Sequence, residues 1–495
     1  METERRRYKR VAVIGAGVAG VAACHALRKR GIECVVFESK DRVGGLWVDN
    51  YYGACVQLPH YLYEYPEQRF KDDVDANPSM DQVCEYLETF VDANGIRDSF
   101  RFKSKVTSVL QLEDSSWALS IEDLTTGESR IEEFAYLVMC NGLYSDKPNR
   151  IKLEGEQHFQ GKLIHSSEYR STEVFAGKNV VVVGAGKSGI DAATTASTVA
   201  KSVSHVGRTK YFTVPLYLGP VNNGRLFFTR GLLLFLSPFY HGNRVTQALH
   251  WLLTPVKWPL LKLFEIALLV SFRIPFSAWP NTSLLHEAHS TRTSVSDINY
   301  LKALRKKKIR VYKTTVSEVE GKTANLANGK VLEADLIVLA TGWDYTFQIF
   351  DGDIGKRLQP DEDGLYLYKN MLPTTVNGLA FVGSNCSSYV NPFTDTVQSV
   401  WLAQLLAGDR PMPKRKEMEE DLRKMKASKR RFYPTERYRA TIVQAHSPYY
   451  HDDLMREMGM GRKVRGFWSF LSYWLQPQWP KNWNSIVEEA HTVRI

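Results

Sequence analysis

The chain has few cysteines for its length, and none sits where it could share a task with another. The six, at positions 24, 34, 55, 84, 140 and 386, form no CxxC pair and no metal-ligand spacing. This excludes a disulfide framework, a zinc module and a redox dithiol beside a cofactor, and it fits a reducing compartment. Long uncharged apolar runs are also missing. No stretch reaches the roughly 18 residues that a membrane-spanning helix needs. Residues 258–276 (WPLLKLFEIALLVSFRIPF) come nearest but carry Lys262, Glu265 and Arg273, and the segments 231–239 and 467–480 (FWSFLSYWLQPQWP) are shorter. These stretches read either as buried helices or as a greasy substrate mouth or interfacial membrane patch. The start of the chain is charged and has no secretory apolar core, so the expectation is a cytoplasmic protein, with peripheral membrane contact left open. The sequon Asn281-Thr282-Ser283 then carries no weight. No Ser/His/Asp set, metal cluster or pair of catalytic carboxylates stands out.

No nucleic-acid recognition module accompanies the net charge of +10, so a nucleic-acid partner is not expected. The basic residues gather in RRRYKR at 5–10, RKKK at 305–308 and the run 414–431. They read as solvated faces, or as attraction for a polyanionic cofactor or an anionic membrane. With 495 residues, an apolar fraction of 44% and a charged fraction of 24%, the chain is a folded protein of two or three domains.

What the chain does contain is a glycine fingerprint, twice. VAVIGAGVAG (11–20) is a short β-branched run ending in Gly15, Gly17 and Gly20; a helical stretch follows, then the apolar CVVFE ending in Glu38. The order strand, GxGxxG, helix, strand, acid is a complete dinucleotide-binding βαβ unit. Gly15 makes the tight turn, Gly17 lets a pyrophosphate approach the backbone, Gly20 lets helix and strand pack closely, and Glu38 accepts a ribose hydroxyl. NVVVVGAGKSGIDAA (179–193) repeats the pattern with Gly184, Gly186 and Gly189, but its next strand ends in Arg208 rather than an acid. A guanidinium there binds a 2′-phosphate that a carboxylate would repel, so the second site reads as NADP, with Lys187, Ser188 and Lys210 as helpers.

The first unit continues DRVGGLW, where glycines let the chain pass a bulky flat ligand; Gly45, Leu46 and Trp47, with Val106, are further cofactor candidates. FAD at the first site and NADPH at the second is the assignment. Two apolar strands break at Asn141-Gly142 and at Thr341-Gly342, on either side of the second fingerprint. They imply a nested α/β layout of two Rossmann-like domains. An FAD domain formed from 1–165 and 335–495 would enclose an NADP domain at 166–334, with a helical, aromatic-rich insertion at 211–280.

Between those breaks lies FQGKLIHSSEYR (159–170). Here the chain resembles the flavin-containing monooxygenase family of class B flavoprotein monooxygenases, whose motif is F-x-G-x-x-x-H-x-x-x-[F/Y]. Phe159, Gly161, His165 and Tyr169 stand at those offsets, LATGW replaces the family's F-A-T-G-Y, and YYHDDLMREMG (449–459) looks like its C-terminal helix. The resemblance implies that the motif joins the domains, with His165 as a structural group. It implies FAD and NADPH as cofactors, O2 as co-substrate, and transfer of one oxygen atom to a small apolar or aromatic molecule through a C4a-hydroperoxyflavin. Tyr169, where the Baeyer–Villiger branch usually has Trp, favours N- or S-oxygenation over ketone insertion or C-hydroxylation. Gln57 stands where many animal members carry Asn near the flavin, and with the surrounding tyrosines it leans toward microbial and fungal relatives. Gln57 and Asn141 are the candidates for the flavin face. The sequence leaves monomer and homodimer both open.

Overall fold

The computed structural model describes residue 8 and residues 10–492, apart from 145–146, 216, 219–220, 223–228, 234–235, 237, 243, 291–293, 297, 345–346, 359, 461–466 and 477–478. Most of the basic patch at 5–10 lies outside the described residues.

The β-branched run Arg10–Ile14 forms a strand that is almost wholly buried, as expected for a strand covered on both sides. It is the centre of a five-stranded sheet, all parallel, in the order Leu379–Phe381, Tyr136–Met139, Arg10–Ile14, Glu33–Phe37, Phe100–Arg101. The fingerprint helix Val18–Lys29 follows, and its small residues let it lie close against the buried helix Asn391–Leu406. A second five-stranded parallel sheet repeats the plan, in the order Ile309–Lys313, Ser202–Gly207, Asn179–Val183, Leu336–Leu339, Lys162–His165. Each body also carries a three-stranded antiparallel meander, Ser104–Phe134 in the first and Val316–Glu333 in the second.

The second sheet takes in chain from outside the expected boundaries. Lys162–His165 and Leu336–Leu339 were assigned by sequence to the enclosing domain, but both are strands of the inserted sheet. The crossings therefore fall earlier than 165 and later than 334. Lys147–Pro148 pairs antiparallel with Trp343–Asp344, so the outgoing and returning chains run side by side between the bodies.

The segment expected to be a helical insertion begins instead with strands. Thr213–Pro215 pairs with Ser294–Ser296, and Tyr217–Leu218 pairs with Val221–Asn222. The helix Arg244–Ser271 follows, with Pro255 and Pro259 inside it. Its apolar side chains are not all buried: Trp251 is 82% and Leu263 63% exposed. No helix among the described residues is long and apolar enough to cross a membrane.

Candidate active site

Both glycine turns stand at the carboxyl ends of their central strands, where a doubly wound sheet opens a crevice between neighbouring strands. At Gly15 the backbone turns with φ of 103°, and a Cβ there would lie 2.7 Å from the Cys140 carbonyl oxygen, just past the neighbouring parallel strand Tyr136–Met139. Gly184 repeats this with φ of 126° and a Cβ position 2.1 Å from the Ala340 oxygen. Gly20 and Gly189 serve packing: their Cβ positions fall 1.8 and 1.9 Å from the oxygens of Gly15 and Gly184. The following helices, Val18–Lys29 and Lys187–Val199, have no side-chain cap and no acid in the first turn. Their free N–H groups and positive dipole ends are left for an anion. Beside Gly186 a Cβ would meet nothing within 4 Å. These cradles fit the pyrophosphate of a dinucleotide.

Both turns face one cavity of about 1600 Å³. Of the residues expected from sequence it is lined by Gly15, Gly17, Glu38, Gly45, Leu46, Trp47, Gln57, Val106, Asn141, Gly184, Gly186, Lys187, Ser188, Arg208, Thr341 and Gly342. The loop after Glu33–Phe37 closes over the first turn. The Gly44 amide donates to the Ala16 oxygen (2.9 Å), and a Cβ on Gly45 would come within 2.8 Å of Gly17 Cα. Glu38 is buried and accepts from the Ala16 amide (2.8 Å) and the Lys40 amide (2.9 Å), so its carboxylate is fixed at the strand end. Trp47 donates from Nε1 to the Tyr63 hydroxyl (3.0 Å).

In the second body Arg208 is exposed at the end of Ser202–Gly207 and makes no hydrogen bond or ion pair among the described residues, which leaves its guanidinium free for a ligand. Lys210, expected to help, turns away and donates to the Ser277 carbonyl; it does not line the cavity. Lys187 is held by Asp191 one helical turn on (2.6 Å). Asp191 also accepts from the Tyr51 hydroxyl (2.7 Å), a residue of the first body. Burial and the Asp191 charge push the Tyr51 phenol well above its ordinary range, so it stays a donor. Sequence reasoning missed this Lys187–Asp191–Tyr51 link. The spacing of Lys187 and Asp191 on one helix was a readable signal, whereas the approach of Tyr51 was not.

The motif residues lie behind the cavity wall. A Cβ on Gly161 would fall 2.4 Å from Phe159 Cζ and 2.8 Å from the Asp335 oxygen, so the ring and the strand crossing require glycine. The Ser167 amide donates to His165 Nδ1 (3.2 Å), which makes Nδ1 the acceptor and places the proton on Nε2. Nε2 then donates to the Gly342 carbonyl (3.0 Å). Burial holds the imidazole below its ordinary pKa, so it is neutral. His165 therefore clamps the Thr341-Gly342 turn, while Ser166 and Ser167 line the cavity. Tyr169 is buried, packs on Tyr51 (5.5 Å between centroids), and accepts the Tyr52 amide at its carbonyl (3.0 Å).

Comparison with known proteins agrees with this geometry. The family model described as flavin-binding monooxygenase-like matches residues 8–214 and 297–471. The chain is 26% identical to the probable flavin-containing monooxygenase 1 of Arabidopsis thaliana, over 91% of this chain and 92% of that one. Among solved structures, S-allyl-L-cysteine S-oxygenase from Allium sativum superposes with a TM-score of 0.63 at 19% identity, covering 98% of this chain and 95% of the other. Cyclohexanone monooxygenase from Rhodococcus sp. Phi1 bound to NADP+ does so with 0.67 at 20%, covering 91% and 97%.

Proposed function

The chain belongs to the flavin-binding monooxygenase-like family, and from that premise we propose that it oxygenates a soft nucleophile, an amine nitrogen or a sulfur, on a small apolar or aromatic substrate. The observation that carries the reading is one cavity shared by both glycine turns, which would bring two dinucleotides into one compartment. Bound there, FAD with NADPH would supply the redox chemistry that activates O2. The protein's share is placement and dryness. The helix ends and Glu38 hold FAD; Gly186, Ser188 and Arg208 hold NADPH; Lys187, tied to Asp191, sits beside the second turn. Gln57 and Asn141 offer neutral amides to the compartment, donors and acceptors without a charge that would draw in water. The absence of a placed acid–base pair among the expected residues suits a nucleophilic substrate that needs little proton transfer.

The test is product analysis under 18O2 with NADPH, offering a tertiary amine, a thioether and a cyclic ketone in parallel. Labelled N-oxide or sulfoxide is the expected product. A labelled lactone with untouched amine and thioether would place the enzyme on the Baeyer–Villiger side.

A lipid surface is the second element of this reading. Trp251, Leu252, Trp258, Leu263, Val270 and Phe276 are more than half exposed on one segment, and Trp468 is 77% exposed on another. Lys262 lies among them with its side chain 70% exposed, paired with Glu265 (2.8 Å), and the whole chain is basic. Aromatic and aliphatic residues interspersed with cations suit the headgroup region of an anionic bilayer.

A further inference from the structure

Behind the first glycine turn, the helix Asn391–Leu406 begins at the cavity wall, and its residues Asn391 and Asp395 line the cavity. Asp395 is 4% exposed. Among the described residues its carboxylate makes no hydrogen bond and no ion pair. Its Oδ1 lies against Gly383, where a Cβ would come within 2.9 Å, and Gly383 in turn lies against Ala19 of the fingerprint helix. The groups that face it come from every neighbouring element. They are the phenols of Tyr63, Tyr65 and Tyr450 and the thiols of Cys140 and Cys386, each of whose ionisation its charge would oppose. His451, on the helix packed alongside, is taken up by the Thr394 hydroxyl (2.8 Å). No lysine or arginine stands among them. A buried carboxylate without a cation or a donor is costly, and such a group protonates instead. Once neutral it has an O–H to donate, and the residue lines the cavity.

We propose that Asp395 is a further cofactor-contacting residue, a neutral carboxylic acid that donates a hydrogen bond to an oxygen or nitrogen acceptor of the bound FAD. The fingerprint turn, the Gly44–Gly45 loop and Asp395 would then offer the cofactor N–H donors, backbone contact and an acid O–H. Burial raises the carboxyl to about 8, so it is protonated at neutral pH and gives up its proton at mildly alkaline pH. Deprotonation would turn a donor into an anion beside the cofactor and weaken its hold. The inference rests on FAD at the first site and is independent of which substrate is oxidised.

The experiment uses the holoenzyme, without substrate. Flavin absorbance and the rate of FAD release are followed from pH 6 to pH 10 for the wild type, Asp395→Asn and Asp395→Ala. The expected wild-type result is a one-proton change in the flavin band near pH 8, accompanied by faster release. Asp395→Asn keeps a donor that does not titrate, so its band and release rate stay level across the range. Asp395→Ala lacks the donor and releases FAD about tenfold faster at pH 7, the effect of one lost hydrogen bond. A wild-type profile that is flat from pH 6 to pH 10 overturns the proposal, because an acid ionised at every pH tested would give it. A transition that survives in Asp395→Asn, or an Asp395→Ala holoenzyme that releases FAD no faster than the wild type, overturns the proposal. The wild-type titration needs no variant to fold.

Discussion

At the scale of single residues, the site combines groups fixed by the fold, such as Glu38, with groups left open for a ligand. Arg208 shows the consequence most directly, because its guanidinium stands free at the strand end that faces the second turn. Arg208→Ala is expected to raise the KM for NADPH about thirtyfold, the loss of one charge-assisted contact of about 2 kcal/mol, while the KM for NADH stays level. Steady-state kinetics with both nucleotides checks this, and equal losses for the two would remove Arg208 from the 2′-phosphate. Gly20→Ala would place a methyl group 1.8 Å from the Gly15 oxygen, so the turn must open. That variant should purify without FAD, which its visible spectrum would show. The placement of Arg208 and the glycine turns was legible because it depends on local spacing after a strand. Asp395 was not, since nothing in NPFTDTVQ marks its carboxyl as lacking a partner; that follows from which side chains the fold brings around it.

At the scale of elements, the insertion is tied back to the first body by titratable contacts. His241 donates to Asp453 (2.7 Å) and to Asp421, and Arg230 pairs with Asp452 (2.6 Å). Burial opposes charge on His241, but the hydrogen bonds to both aspartates carry its pKa up to about 8, against the ordinary 6.5. The folded pKa is the higher one. The stabilisation is therefore complete below about pH 6.5 and is lost as the pH rises through 8. Thermal melts should show the wild type losing stability across that window and His241→Gln losing less, because its contacts do not titrate. A wild-type and variant pair with parallel melting profiles would sever the link. The long helix of the same insertion supports a different test. With Trp251, Trp258 and Leu263 replaced together by Ser, co-sedimentation with phosphatidylserine-containing vesicles should fall at least several-fold while activity on a soluble substrate is kept. Equal sedimentation, or a wild type that elutes as a dimer which the variant breaks, would give the surface to a second copy instead. From sequence this helix could be either a buried or an interfacial element, because apolar content alone does not say whether neighbours cover it; the exposure of Trp251 does.

At the scale of the whole molecule, two sheets of the same plan face one cavity across a pair of antiparallel crossings. Tyr51 is the direct side-chain link over the second turn, from the first body to Asp191 and through it to Lys187. Tyr51→Phe is expected to leave FAD content unchanged and to weaken NADP+ binding a few-fold, measured by fluorescence titration; loss of FAD instead would mean that Tyr51 serves the first site. The primary sequence by itself determined the parts whose physics is local. A β-branched run, a glycine turn and a helix specify a dinucleotide cradle, because the turn, the close packing and the free N–H groups all depend on neighbours within one βαβ unit. The strand-terminal Glu38 and Arg208 give the two units opposite charges at the same position. Only the tertiary structure decided where the bodies divide, because the strands Lys162–His165 and Leu336–Leu339 find their sheet through partners far along the chain. It alone turned Lys210 outward, gave His165 the Gly342 carbonyl to hold and left Asp395 buried at the cavity wall. Long-range pairing and desolvation arise from distant segments meeting, which residue spacing does not encode.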